Sequence, residues 1–317
     1  MSASNSEESP RTWKSRSDLP FYAVFVAVSA VYILLIVAML AAETTYTTPG
    51  HIMRSFQKPE IRYAIWLSLV SCAITTVLSL WVSVPIGYLM SRHQFPGKTL
   101  IDAILDIPIV LPPLVIGLCL LILFQIQLPE FEWLNEMVAA KSGIVYDKAA
   151  AAAVADQTQS LDELIRKITK VLFGRAIGVT YEIPSIILAQ FMVACAFAVR
   201  TMRVTFDQIG LRYEQVALTL GCKRGQAFWR VVFPQAYRGL LAAATLAWAR
   251  SLGEFGPILI FSGATRMKTE VLPTTVFLEL TVGNIEGAVA ASLIMVVSAL
   301  IVLVIARMFG LTRSAAI

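Results

Sequence analysis

Two opposite charges stand four residues apart in one of the most apolar stretches of this sequence. Arg250 and Glu254 are the only charged residues between 240 and 261. In a helix they lie one turn apart, so that each can neutralise the other. A charge at the centre of a membrane is costly unless it is paired or faces a cavity or the interior of a bundle. The pair therefore predicts either a structural lock for this segment or a lining for the path of an anion, and both roles stay open.

Small residues flank this pair. Gly253, Gly256 and Pro257 allow close packing or a break in the helix. The candidate pathway or gate comprises Arg250, Ser251, Gly253, Glu254 and Gly256. The Glu254 carboxylate would repel an anion unless it is paired, so Arg250 by itself is not assigned as an anion-binding residue.

A second segment has the signals of a compact helical element. Ala217 is followed by Gly221 four residues later and by Pro234 thirteen residues after that. This spacing predicts two short helices around a tight turn, with Gly221 at the end of the first helix. Such an element on the surface of a membrane protein can dock a partner; an ordinary amphipathic connector is the alternative.

The rest of the sequence offers no convergent set of catalytic or metal-binding residues. It has two histidines and no C-x-x-C pair among its four cysteines. We therefore predict no catalytic residues, no metal and no cofactor. The run Gly97-Lys98-Thr99 is similar to the end of a P-loop, but Arg92 occupies a position where that motif requires glycine. The chain is therefore not predicted to be an ATPase or any other enzyme.

Composition indicates which elements must position these residues. Hydrophobic residues make up 57% of the chain and charged residues 15%, whereas soluble domains have about 25% charged residues. Stretches of about 20 apolar residues, enough to cross a bilayer, recur along the chain. They predict an all-α membrane protein with about six transmembrane helices, at 20–42, 64–90, 107–124, 183–202, 240–261 and 287–308. No basic run with interleaved aromatic residues occurs, so no nucleic-acid partner is predicted.

The third predicted span contains three prolines. Pro108, Pro112 and Pro113 each free backbone carbonyl groups that neighbouring helices or a water-filled cavity must satisfy. They therefore predict a helix that is packed inside the bundle instead of facing lipid.

The distribution of lysine and arginine predicts which loops face the cytoplasm. With six spans both termini lie on one side, and that side has fourteen of these residues against eleven on the other. Because they are enriched in cytoplasmic loops, the tail 1–19, the other terminus and the loop 203–239 are predicted to be cytoplasmic. The polar segment 127–182 is then outside.

This outer segment contains the signals of an amphipathic helix. Ser160 and Glu163 are spaced as a capping box at its start. Apolar residues then recur at helical spacing as far as Leu172. We expect this apolar stripe to pack against the outer mouth of the bundle or against a partner.

The segment 214–234 resembles the signature of the ABC permeases that work with a binding protein, written E-A-A-x3-G-x9-I-x-L-P. Ala217, Gly221 and Pro234 match this signature at its spacing, while Gln215 stands at its glutamate position and Glu214 comes one residue earlier. Further stretches are similar to the permeases for molybdate or tungstate, and next to those for sulfate. These stretches are 85–92, 95–98, 106–113, 250–256 and 263–270.

The resemblance implies a specific assembly in the inner (cell) membrane. An ABC type I importer permease fold would occupy 64–308, after the first helix at 20–42 and with an extracytoplasmic insertion at 127–172. Cytoplasmic ABC ATPase subunits would dock on the loop 203–239. The docking residues implied are Glu214, Gln215, Ala217, Gly221 and Pro234. A second permease subunit would complete a homodimer within the lipid bilayer, and an oxyanion-binding protein would deliver the cargo from outside.

The cargo that the resemblance implies is molybdate or tungstate, with sulfate or another substrate as the alternative. A secondary transporter without an ATPase is a further alternative. It would not need the docking element and would be expected to show inverted repeats, which we do not find. A membrane enzyme would need the convergent catalytic residues that the sequence lacks.

Overall fold

The structure is a computed structural model, and it describes residues 19–45, 49–129, 131, 137 and 158–312. The chain divides into two compact units, 1–48 and 49–317. The predicted tail 1–19, apart from its last residue, and most of the predicted insertion 127–172 lie outside the described residues.

The first unit contains helix α1 (Leu19–Thr45), which includes the predicted first span 20–42. Large apolar side chains are exposed all along it, and none of its most apolar window is buried. A helix of this length that is apolar on every side is suited to cross a membrane.

The described residues of the second unit are almost all helical. Its elements are α2 (Pro49–Gln57), α3 (Pro59–Arg92), α4 (Lys98–Val110), α5 (Pro113–Gln125), β1 (Gln127–Pro129), β2 (Thr158–Ser160), α6 (Leu161–Phe173), α7 (Ile183–Gln208), α8 (Leu211–Thr219), α9 (Arg224–Ala227), a π-helical turn (Phe228–Val232), α10 (Phe233–Gln235), α11 (Tyr237–Leu252), α12 (Gly256–Phe261), α13 (Leu272–Thr281) and α14 (Ile285–Thr312). The strands β1 and β2 pair antiparallel, with Leu128 opposite Gln159.

Four helices of the described residues are long and apolar enough to cross a membrane, namely α1, α3, α7 and α14. The last three contain the predicted spans 64–90, 183–202 and 287–308. A fifth candidate is the pair α4–α5, if the two helices are counted as one bent span.

The prediction of one continuous helix at 107–124 was wrong. Helix α4 ends at Val110 and α5 begins at Pro113, and the two helices are bent by 111°. Pro112 disfavours the helical conformation in Leu111, the residue before it. Leu111 accordingly has an extended backbone, with ψ of 140°. The consecutive prolines therefore end one helix and begin another.

The predicted fifth span, 240–261, consists of α11 and α12 with a break at 253–255. Helix α11 ends with Gly253 as its C-cap residue, whose N–H donates to the carbonyl oxygen of Ala249 at 3.3 Å. Helix α12 starts with Gly256 followed by Pro257. The break therefore falls within the stretch that carries the predicted ion pair.

Helices α3, α7 and α11 pack closely at the centre of the second unit. Ala194 and Ala198 of α7 and Ala247 of α11 form a fully buried contact. A Cβ atom on Gly87 of α3 would lie 2.9 Å from the Cβ atom of Met202 in α7. Small residues at these contacts allow the helix backbones to approach, as in other membrane bundles.

Candidate functional site

Arg250, in the last turn of α11, forms an ion pair with Glu254, in the break between α11 and α12. The Nη2 atom of Arg250 lies 3.1 Å from Oε1 of Glu254. The Glu254 side chain is 2% exposed, whereas that of Arg250 is 39% exposed. The Arg250 guanidinium also lies 5.3 Å from the centre of the Phe197 ring, which adds a cation–π attraction. The Glu254 carboxylate is therefore buried, whereas the Arg250 guanidinium remains partly exposed.

The predicted small residues have different surroundings. The buried Ser251 carbonyl oxygen accepts a hydrogen bond from Nε2 of Gln190 in α7, at 3.2 Å. A Cβ atom on Gly256 would lie 3.1 Å from the backbone nitrogen of Leu114, so that glycine permits close packing there. A Cβ atom on Gly253 would meet nothing closer than 3.8 Å, so packing does not require glycine at that position.

The two breaks lie against each other. Gly256, next to the first break, packs on Leu114 at the start of α5, directly after the second break. In addition, a Cβ atom on Gly117 of α5 would lie 2.8 Å from the Cα atom of Pro257. Irregular backbone at membrane depth is tolerated where it is buried in protein or lines a cavity. The fold thus brings the ion pair, its small neighbours and the prolines of the third span to one place.

The predicted docking element is helical around a tight turn. Gly221 follows the C-cap residue Leu220 of α8 and has φ of +88°. The N–H of Cys222 donates to the Ala217 carbonyl oxygen at 3.1 Å, and that of Gly221 to the Leu218 carbonyl oxygen at 3.0 Å. This is the Schellman pattern, which favours glycine because its residue after the cap is left-handed. The second part of the element comprises α9, the π-helical turn and α10.

The five predicted docking residues face different ways. Gln215, Gly221 and Pro234 are exposed, whereas Ala217 is buried. Glu214 faces inward, with 13% of its side chain exposed. The sequence analysis missed the exposed apolar surface of this element, which a search for apolar residues in an otherwise polar loop could have found. That surface comprises Leu211, Tyr213, Val216 and Leu220.

Glu214 ties α8 to the end of α3. Its Oε1 atom accepts a hydrogen bond from the Tyr88 hydroxyl at 2.6 Å. Its Oε2 atom lies 3.5 Å from Nε of Arg92, whose side chain is 6% exposed. The sequence carries no local signal for either contact, because α3 and α8 are more than a hundred residues apart along the chain.

Asp162 joins helix α6 to the segment just before α7. The backbone N–H groups of Val179 and Thr180 donate to Oδ1 of Asp162 at 2.6 and 2.9 Å, and Nε of Arg166 lies 2.8 Å from Oδ2. Burial alone would raise the pKa of Asp162, but these N–H groups and the Arg166 guanidinium outweigh burial and hold the pKa below its ordinary value. The predicted N-cap is present, since the Glu163 N–H donates to the Ser160 hydroxyl oxygen at 3.2 Å.

The first half of the apolar stripe of α6 is covered by the bundle. Leu161 and Ile165 pack against the core formed by α5, α7 and α12. Ile168 and Leu172, the latter 67% exposed, remain open. The expectation that this stripe packs against the bundle is therefore met by the first half of the helix.

Comparisons with known proteins agree with this architecture. Residues 83–311 match the model of a family described as "Binding-protein-dependent transport system inner membrane component". The chain is 27% identical over 293 residues to the sulfate transport system permease protein CysT of Escherichia coli, which covers 91% of this chain and 92% of that protein. It is 29% identical over 244 residues to the molybdenum transport system permease protein ModB of Mycobacterium bovis, with 77% and 78% covered.

A solved structure extends the likeness to the fold. A chain in the crystal structure of a bacterial alginate ABC transporter, in complex with an alginate pentasaccharide-bound periplasmic protein, superposes with a TM-score of 0.66. The sequences are 16% identical, and the match covers 96% of this chain and 98% of that one. At this identity the likeness concerns the fold alone.

Proposed function

Because the chain belongs to the family of binding-protein-dependent transport system inner membrane components, and is thus an ABC importer permease, we propose that it carries an oxyanion into the cytoplasm. Transport is driven by ATP hydrolysis on partner subunits. The observation that carries this proposal is the match over 83–311, which includes both the docking element and the ion pair.

The exposed surface of α8 supports the docking of an ATPase. Leu220, next to the left-handed turn at Gly221, is 80% exposed, and Tyr213 in the first turn of α8 is 58% exposed. Large apolar side chains on a loop outside the membrane are suited to a protein interface. The loop 203–239 is then cytoplasmic, as are both termini, and 127–182 faces the oxyanion-binding protein outside.

The ion pair supports the passage of an anion. Arg250 keeps 39% of its side chain exposed and is partly neutralised by Glu254. A transport path needs attraction that is strong enough for entry and weak enough for release. A half-open arginine whose charge is balanced by a buried acid meets both needs. A second copy of the chain, as a homodimer, supplies the other wall of the path.

For the cargo we propose molybdate or tungstate, with sulfate as the second candidate. Sulfate is favoured by the likeness to CysT over most of both chains, and molybdate by the likeness to ModB. All three anions are tetrahedral and doubly charged, so a single arginine at the pore cannot separate them by charge. We therefore assign the choice among them to the binding protein.

The test is uptake of labelled molybdate, tungstate and sulfate into proteoliposomes. These contain the permease together with the ATPase and the binding protein encoded by neighbouring genes. We expect uptake of molybdate and tungstate that requires both ATP and the binding protein and resists excess sulfate. Uptake of sulfate that resists excess molybdate would establish the second candidate. Uptake of none of the three would contradict the oxyanion proposal.

A substitution at the docking turn serves as the control for coupling. Gly221→Trp places a bulky side chain at an exposed left-handed position and should abolish ATPase co-purification and uptake together. Gly221→Asn is the matched control, because asparagine tolerates this conformation without adding bulk. The asparagine variant should keep both properties. Normal uptake by the tryptophan variant would mean that ATPase docking does not use this turn.

A further inference from the structure

Two cavities meet beside the end of α3 that contacts α8. The first has a volume of about 500 Å³ and is lined by Tyr88, Leu89, Arg92, His93, Glu214 and Arg224, among others. The second has a volume of about 410 Å³ and includes Leu80, Trp81, Val84, Trp229, Phe233 and Leu240. Pro85 and Phe228 line both cavities. The two cavities therefore lie side by side as one groove. One half carries charged side chains on a mostly apolar wall, and the other half is lined by apolar and aromatic side chains. We call them the polar half and the apolar half, and the whole the amphipathic groove.

The polar half holds a buried cation whose hydrogen bonds are incomplete. Arg92 is 6% exposed on its side chain, and its Nε and Nη2 atoms have no hydrogen-bond partner in the described part of the chain. The acid beside it is Glu214, whose Oε2 atom lies 3.5 Å from Nε and likewise has no hydrogen-bond partner, while its Oε1 atom accepts a hydrogen bond from Tyr88. Buried donors normally find partners. The Nη2 donor of Arg92 therefore points to an acceptor that comes from outside the chain.

The charge of this half favours an anionic acceptor. Arg92 and Arg224 supply two positive charges to the lining, and Glu214 supplies one negative charge. The two guanidinium groups therefore exceed the one carboxylate by one positive charge. Arginine is well suited to phosphate because its planar group can donate two parallel hydrogen bonds.

The apolar half is aromatic and open. Trp81 is 77% exposed and Trp229 is 62% exposed. The rings of Trp229 and Phe233 lie 4.9 Å apart, and that of Phe228 lies 4.8 Å from the ring of Tyr88. Tryptophan is enriched where a membrane protein crosses the boundary between hydrocarbon and headgroups. This half is therefore suited to an acyl chain.

The length of α3 places the polar half near the lipid headgroups and the apolar half near the acyl chains. A helix of 34 residues is about 50 Å long, so it extends about 10 Å beyond each side of a hydrocarbon core of about 30 Å. With α3 centred in the bilayer, its end at Arg92 lies about 25 Å from the centre, just beyond the outer limit of the headgroups at about 20–22 Å, and the long arginine side chain can reach back to them. Trp81 is eleven residues earlier, about 16 Å further in, and so lies beside the acyl chains. Trp229 and Phe233 line the same cavity as Trp81, so this part of the loop 203–239 enters the membrane from the cytoplasmic side.

We propose that the amphipathic groove binds one anionic phospholipid. Its phosphate accepts hydrogen bonds from Arg92 and Arg224, and one acyl chain lies against Trp81, Trp229 and Phe233. A soluble anion would leave the aromatic half empty, and a zwitterionic lipid would bring no net charge to the arginines. Basic pockets of this kind at the end of a membrane bundle recognise anionic headgroups.

A lipid in this groove would contact both α3 and the docking element, since Tyr88 and Glu214 line the same cavity. The inference requires only that the chain spans a membrane. It does not depend on the identity of the transported anion or on ATPase docking, so its failure would leave the proposed function intact.

The test compares phospholipid retention by native mass spectrometry. The full chain is purified in detergent, together with any ATPase that co-purifies. It is then incubated with phosphatidylglycerol or with phosphatidylcholine of the same chain length. We expect at least fivefold greater retention of phosphatidylglycerol. This preference should fall at least fivefold in Arg224→Gln, which alters an exposed position in the polar half. In Trp229→Ser, which alters an exposed position in the apolar half, the retention of phosphatidylglycerol itself should fall at least fivefold.

Two variants are matched controls. Arg230→Gln removes an exposed cation next to Trp229 that lines neither cavity, and Trp66→Ser removes a 58% exposed tryptophan nearer the other end of α3. Both should retain phosphatidylglycerol as the parent does. Equal retention of the two lipids, an unchanged preference in Arg224→Gln, or unchanged retention of phosphatidylglycerol in Trp229→Ser would overturn the proposal. Displacement of the lipid by millimolar inorganic phosphate would show a site for free phosphate instead.

Discussion

Two of the arginine–glutamate pairs among the described residues have different surroundings. Arg250 and Glu254 are four residues apart on the chain, on either side of the end of α11, with the arginine 39% exposed and the acid 2% exposed. Arg92 and Glu214 come from distant helices and are both largely buried, at 6% and 13%. The first pair leaves its cation partly exposed, whereas the second joins α8 to a transmembrane helix. Burial and sequence distance, and not residue type, separate the two roles.

The largest effect is expected from Arg250→Met. This change leaves the Glu254 carboxylate buried without its partner, at a cost of about 3–5 kcal/mol, and should sharply lower the amount of protein in the membrane. Glu254→Gln leaves a half-exposed arginine, which solvent can stabilise, so its cost should be about 0–1 kcal/mol. The measurement is membrane abundance and ATPase co-purification of both variants. Equal losses in the two would contradict the asymmetry of this pair.

The double change Arg250→Met with Glu254→Gln separates structure from transport. It leaves no unpaired charge, so abundance should recover. If the pair lines the pathway, the double variant folds and docks its ATPase but takes up no anion. Recovered uptake would instead assign the pair a purely structural role.

A smaller effect is expected from Glu214→Gln. Arg92 then loses its charged partner while Tyr88 keeps an acceptor, and we expect a loss of about 1–3 kcal/mol. Helix α8 should be held less firmly, so that hydrogen exchange across 211–219 rises. A loss of about 1.4 kcal/mol in docking would weaken ATPase affinity roughly tenfold.

The neighbouring residue supplies the control for this change. Gln215 is exposed, so Gln215→Ala should leave hydrogen exchange in α8 unchanged whatever it does to docking. Unaltered exchange in Glu214→Gln would mean that the contact with α3 does not hold α8 in place.

The smallest effect concerns Asp162, outside the membrane, where hydrogen bonds hold the pKa of the folded protein below its ordinary value. A lowered pKa stabilises the folded state fully above the unfolded value of about 3.9. This contribution is lost as the pH falls through the lower folded pKa. Acid should therefore loosen α6, and Asp162→Asn should loosen it already at neutral pH. Hydrogen exchange of 161–173, corrected for its intrinsic pH dependence, measures this, and identical pH profiles for parent and variant would contradict the assignment.

The elements that rest on local patterns were predictable. Apolar stretches of about 20 residues located the helices α1, α3, α7 and α14, because membrane thickness sets their length. The positions of Gly221 and Ser160 at helix ends were predictable for a similar reason. The backbone groups at a helix end must find hydrogen-bond partners within a few residues. The pairing of Arg250 with Glu254 was also predictable from their spacing of four residues, although α11 ends between them at Leu252.

Tertiary structure alone decided the features that join distant segments. The sequence showed the prolines at 112–113 but not that the helices diverge by 111° or that this break meets the one beside Glu254. It likewise showed a glutamate near the docking signature, but not that Glu214 turns inward to Tyr88 and Arg92. The physical reason is that such contacts depend on how whole helices pack. A local window of sequence therefore determines where helices begin and end, while the packing of the bundle determines which charges become buried, paired or open.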